Sequence, residues 1–233
     1  MTERGRTSTV NRFKDKEMES LFSKIFELGS LTERALSDAI WALSHQDKNL
    51  ARQVLDGDDA VDELALEINT VSFQLIARYQ PVAFDLRALE ACIRMALDLE
   101  RITDLAVNIA RVTLDLDVRI KPLKNLEPMG MRVIAMLNTS MSALLRRDVS
   151  AAKEVFAMDD AVDDYEDGVF AELMEIVMET PALTNGSNKI ITVARVLERA
   201  GDHVTNLAEH ICYMIAGNRV RAADFRRVRT EDK

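Results

Sequence analysis

The chain has 233 residues, 48% of them hydrophobic but only 5% aromatic, with 8 Gly, 4 Pro and a formal net charge of -9. This mixture favours helix over strand and is ample for a buried core. The acidic balance argues against an extended nucleic-acid-binding face. Cys92 and Cys212 lie inside apolar helical patterns with no CxxC, which excludes a disulfide framework and a thiolate zinc site. The charged N-terminus has no apolar signal core, and no run approaches the ~18 residues of a membrane helix. A soluble, cytoplasmic protein is expected.

In chain order, residues 1–9 are expected to be disordered, and Ser8 and Thr9 are candidate caps for a first helix from about Val10 to about Gln46. Its Phe22, Ile25, Leu36, Ile40 and Leu43 recur at spacings of three, four and their sums, with a bend expected at Gly29-Ser30. After Asp47 a second helix is marked by Val54, Val61, Leu64, Ile68, Val71 and Leu75, and must stop before Pro81. A third runs from near Asp85 to about Asp115, followed by a linker from Asp117 to Pro128. The plan then repeats: a helix from about Pro128 to Arg147, one from Val149 to Glu179, a break at Thr180 to Asn188, and a last helix to Gly217. Residues 218–233, six basic against three acidic, read as a flexible basic tail.

The repetition extends to residues. Asp58-Asp59-Ala60-Val61-Asp62 recurs as Asp159-Asp160-Ala161-Val162-Asp163 at an offset of 101. Leu99-Glu100-Arg101-x-x-Asp104-x-x-x-Asn108 recurs as Leu197-Glu198-Arg199-x-x-Asp202-x-x-x-Asn206 at an offset of 98. The fold class is therefore all-α: two tandem three-helix bundles, six long helices in all, related by internal duplication, with units at 10–117 and 118–217.

At about 100° per residue, Asp104 and Asn108 fall about 40° and 80° from Glu100, on the side of Leu89, Ile93, Ala96 and Val107. Arg87, Arg94, Asp98 and Arg101 fall on the expected solvent stripe. The last helix repeats this, with Glu198, Asp202 and Asn206 inward and Arg199, His203 and His210 outward. On the second helix of each unit, Asp58 and Asp62, and likewise Asp159 and Asp163, edge the apolar stripe, whereas Asp59 and Glu63 face water. Glu166 adds a carboxylate where the first unit has Ala65.

Acids at the margin of an apolar face need arginine, protons or a cation to neutralise them. Their duplication in register favours a cation, and carboxylate and amide oxygen donors without thiolate, those of Asn108 and Asn206 included, suit magnesium, manganese, calcium, iron or zinc. Dinucleotide, Walker-type and hydrolase-elbow motifs are absent, and His45, His203 and His210 complete no ExxH pair; each reads as a surface or helix-end histidine. Gly201, inside a helix, suggests the close approach of a neighbour.

From about Phe22 to Gly217 the chain resembles the PhoU family of phosphate-responsive regulators. The resemblance rests on Gln80-Pro81-Val82-Ala83-Phe84-Asp85-Leu86-Arg87, on Leu99-Glu100-Arg101-Ile102-Thr103-Asp104 and on its copy Leu197-Glu198-Arg199-Ala200-Gly201-Asp202. It implies two bundles side by side, with multinuclear iron or zinc at Asp58, Asp62, Glu100 and Asp104 and at Asp159, Asp163, Glu198 and Asp202. It further implies a non-enzymatic negative regulator whose partners are the ATPase subunit of a phosphate ABC transporter and a sensor histidine kinase. Such a protein is peripheral to the membrane through these partners, and a homodimer is expected. Thr103 in place of the usual glycine, the altered stretch from Thr180 to Lys189, and Ala65 opposite Glu166 make the two sites unequal. Two alternatives stay open: a carboxylate-bridged metal-dependent enzyme, against which the missing ExxH and nucleophile count, and a metal-free helical adaptor.

Overall fold

The structure, a computed structural model, describes residues 3–117 and 123–225. Among them are seven α-helices and no strand: α1 (Glu3–His45), α2 (Lys48–Asp56), α3 (Asp58–Tyr79), α4 (Ala83–Asp115), α5 (Leu126–Arg146), α6 (Val149–Glu179) and α7 (Thr184–Ala216). The expected second helix is two, α2 and α3, because the backbone breaks at Gly57. Its counterpart, at the position of Met158, runs unbroken through α6. Helix α1 begins before Val10 and continues through Gly29-Ser30 to His45. Asn185 and Gly186, read as part of a break, are the first turn of α7, which follows a 3-10 turn at Pro181–Leu183.

The apolar stripes become the core. Ile25, Leu36, Val61, Ile68, Leu75, Leu89 and Ala96 are buried, and so are Cys92 and Cys212. The duplication also reaches the turns. Gln46 and Arg147 take left-handed φ values of 54° and 53°. The next residue in each case, Asp47 or Asp148, accepts hydrogen bonds from the two amides that open α2 and α6, a cap worth about 1 kcal/mol.

The two units meet along α1 with α5 and α4 with α7, and their contacts are reciprocal. A methyl group added at Gly29 would stand 2.6 Å from Met141 Cε, and one at Gly130 would stand 2.5 Å from Ile40 Cδ1. Gly29 is the equivalent of Gly130, and Ile40 of Met141, so each contact is the mirror of the other under an approximate two-fold.

Across α4 and α7 the structure corrects the sequence reading. Asp98, assigned to the solvent stripe, is buried, and His203 and His210, assigned outward, both reach it. His203 Nδ1 lies 2.9 Å from Oδ1 and His210 Nε2 lies 3.1 Å from Oδ2. An ionised carboxylate only accepts, so both ring nitrogens donate, which fixes the two tautomers. The reason is that α4 has two neighbours: one face packs within its own unit and the other on α7. The two-fold mates of this trio, Val196, Leu105 and Val112, are apolar, so the polar clasp sits on one side only.

Two outcomes are expected. Gly130→Val should destabilise the fold by about 1–3 kcal/mol through overpacking, and Ile40→Ala added to it should recover part of that loss in urea denaturation. Asp98→Ala should cost about 2 kcal/mol by leaving two ring N–H donors without their acceptor. Burial raises the Asp98 carboxyl, but the two histidine hydrogen bonds outweigh it and hold it below its ordinary 3.8. The clasp's contribution is therefore present above that pH and lost as pH falls below it; a parent and variant that differ equally at pH 2 and pH 7 would contradict this.

Two carboxylate clusters as candidate cation sites

The first cluster joins the start of α3 to the middle of α4. Asp58, Glu100 and Asp104 are half-buried, as is Asn108, whereas Asp62 is exposed. Asp59 and Glu63 face solvent, as expected. Burial pushes the Asp58 carboxyl up, and Asp62 and Asp104 push it further, against the pull of Arg111. Glu100 is raised by burial, opposed by Arg101, and raised again by Asp62, Asp104 and Asp58. The four acids therefore lie within one another's fields. Asp58 Oδ1 is buried and has no hydrogen-bond partner among the described residues.

Arginine supplies part of the compensation here. Arg101, placed on the solvent stripe and indeed exposed, turns its guanidinium back to Asp104 at 2.8 Å and Glu100 at 3.8 Å. Asn108 is brought to the same side of α4, but its Oδ1 accepts from Arg111 at 3.3 Å.

The second cluster is deeper. Asp159 on α6 is 3% exposed, Asp163 and Glu166 are half-buried beside it, and Glu198 and Asp202 on α7 are half-buried. Asn206 is exposed. Glu198 is pushed up to about 7 by burial and then by Asp202, Glu166, Asp163 and Asp159, so every carboxylate that the sequence assigned to this site acts on it. Gly201 explains how the two helices come so close: a Cβ there would stand 3.1 Å from Asp159 Oδ1. The equivalent Thr103 instead turns to α1, where its hydroxyl and that of Thr32 both reach the Leu99 carbonyl. The fifth acid follows from Glu166 standing where the first unit buries Ala65.

Among the described residues, no three His, Cys, Asp or Glu side chains already converge as a metal-ligand set. The acids are neighbours through their fields rather than a closed cage. Their donors are all hard oxygens, and the buried, unpartnered Asp58 Oδ1 fits a cation better than it fits an apolar core. A further feature is the stretch from Gln80 to Arg87. Gln80 and Ala83 take left-handed φ values of 45° and 51°, and Asp85 is held by Lys14 of α1 at 2.6 Å.

The raised Glu198 carboxyl carries a sign. Without a cation its contribution to stability is most favourable below the ordinary glutamate value of 4.5 and is lost as pH rises through about 7. Glu198→Gln should therefore be more stable than the parent by roughly 1 kcal/mol at pH 8, after allowance for solvent screening, and no more stable at pH 4. Urea denaturation of the metal-free proteins checks this, and identical pH dependence in both would contradict it.

Comparison with known proteins places this architecture. The family model described as PhoU domain matches residues 25–113 and 126–211, one match per structural unit. A phosphate-specific transport system accessory protein PhoU homolog from Clostridium acetobutylicum is 34% identical over 213 residues, 90% of this chain and 97% of the relative. The accessory protein PhoU of Escherichia coli is also 34% identical, covering 91% of this chain and 87% of that one. The crystal structure of PhoU from Pseudomonas aeruginosa superimposes with a TM-score of 0.83 at 32% identity, over 88% of this chain and 99% of the other. The chain belongs to the PhoU family.

Proposed function

We propose that this chain is a non-enzymatic negative regulator of phosphate uptake and of phosphate-starvation signalling. The observation that carries the reading is the match of nearly the whole chain to proteins named as accessory to a phosphate-specific transport system. The partners are the ATPase subunit of a phosphate ABC transporter and a sensor histidine kinase, contacted from the cytoplasm by a homodimer. No helix among the described residues is long and apolar enough to cross a membrane. Bound multinuclear iron or zinc, or alternatively manganese or magnesium, would neutralise the clustered acids and tie the second helix of each unit to the third. Asp159, Asp163, Glu166, Glu198 and Asp202 would hold it in the second unit, and Asp58, Asp62, Glu100 and Asp104 in the first. What supports this part is the buried Asp58 oxygen without a hydrogen-bond partner among the described residues and the four acids acting on Glu198. The second cluster has Glu166 where the first has Ala65, so the second should bind at least as well.

Deleting the gene in its native host should leave phosphate uptake in phosphate-rich medium close to its starved level; normal repression would contradict the regulatory role. Elemental analysis should find that Glu198→Ala loses at least as much metal as Glu100→Ala. A metal-free parent, or a larger loss from Glu100→Ala, would count against the cation reading.

A further inference from the structure

Helix α6 is covered near its start and bare toward its end. After α7 stops at Gly217 the chain folds back: the Ala222 amide donates to Glu209 Oε1 at 2.7 Å, and Phe225 packs on Phe156 of α6 with ring centroids 5.4 Å apart. Ala222 and Phe225, expected to lie in a flexible tail, are thus seated on α7 and α6; residues 226–233 lie outside the described residues. In the second half of α6, by contrast, Phe170, Met174 and Met178 are 51%, 38% and 77% exposed. Spaced four apart, they form one apolar stripe about 12 Å long. The equivalent positions on α3 are Asn69, Phe73 and Ala77, so the stripe belongs to the second unit alone.

A cavity of about 160 Å³ opens between α6 and α7 at the start of this stripe, lined in part by Val169, Phe170, Ile191 and Ala194. Since an apolar cavity of about 150 Å³ accepts benzene, this one has room for a single leucine, methionine or phenylalanine side chain. Cavity and stripe together make a groove that an amphipathic helix fills with apolar residues one turn apart.

Charge decides which helix fits. No Lys or Arg occurs between Lys153 and Lys189. Glu172 accepts from the Lys124 and Asn125 amides, while Glu175 and Glu179 are exposed beside the stripe. The last turn of α6 holds no basic residue to meet the negative end of the helix dipole, whereas α3 ends with Arg78. A second copy presenting the same face would set acid against acid, but a ridge of apolar residues flanked by Lys or Arg meets both features. Arg195 of α7 also lines the cavity, which keeps the basic flank away from that end and over Glu175 and Glu179.

We propose that the second half of α6 is a docking groove for a basic amphipathic helix of a partner protein. One apolar side chain of the partner enters the cavity beside Phe170, and those of its next turns lie on Met174 and Met178, whose flexible thioethers adapt to their shape. The groove rests on neither the cation sites nor the regulatory role.

A fluorescently labelled synthetic helix, leucine on one face and lysine on the other, is the probe, and its anisotropy is read with the full chain. Binding should saturate at one site per chain and be at least about tenfold weaker for a twin peptide with glutamate in place of lysine. Phe170→Ser and Met178→Lys should each weaken it at least about tenfold, and circular dichroism should show both variants folded. Leu66→Ser and Phe73→Ser, which remove exposed apolar residues of α3, should bind as the parent does. No saturable binding, or equal weakening by the α3 and α6 variants, would overturn the proposal. So would sedimentation showing that Met178→Lys splits a dimeric parent into monomers, since that assigns the face to a second copy.

Discussion

Helices α4 and α7 must each be buried on two sides, and the rest of the fold follows from that constraint. One face of each closes its own three-helix unit, and the other meets the opposite unit. Both helices are accordingly rich in buried small residues, including Ala88, Ala91, Ala106 and Ala110 on α4 and Ala194, Ala200 and Ala208 on α7. The same demand appears at α1 and α5, where Gly29 and Gly130 let Met141 and Ile40 approach across the seam. Duplicated units that pack by reciprocal contacts need only one set of complementary surfaces. One side of the seam is polar, with Asp98, His203 and His210, and the equivalent side is apolar.

Close packing of the second and third helices also creates the carboxylate clusters. An acid at the margin of an apolar face is partly desolvated, and several acids in one place raise one another. The two units answer this differently. In the first, Arg101 turns back across α4 and Arg111 stands near Asp58, so part of the charge is met within the cluster. In the second, Gly201 admits Asp159 to near-complete burial and Glu166 adds to the charge, which concentrates the cost on Glu198. The substitutions that separate the units, Thr103 for Gly201 and Ala65 for Glu166, thus account physically for their inequality.

Helical periodicity made the architecture readable from the sequence, because a strict apolar stripe and a register-preserving repeat leave few alternatives. The acid clusters were legible for the same reason: Asp58, Glu100, Asp159 and Glu198 edge their stripes, and all four are at least half-buried. Asp98 was not, since a helical wheel assigns one inward face and cannot show a second neighbour. His203 and His210 went unread with it. The repeated turns carried a usable signal that periodicity ignores: Ala42-Leu43 and Asp47 recur as Ala143-Leu144 and Asp148 at the same offset of 101. Arg101 escaped because an exposed guanidinium on a long stem can still fold back onto carboxylates beside it.

The central claim is that the second cluster crowds its acids around Glu198 and so raises that carboxyl, the arrangement on which the proposed cation site rests. Carbon-13 NMR titration of the Glu198 side-chain carboxyl in the metal-free protein, repeated with Zn2+, measures this directly. The account requires a midpoint near the raised value of about 7 that falls by at least about one unit when Zn2+ is added. A midpoint near the ordinary glutamate value of 4.5, unmoved by Zn2+, would contradict it.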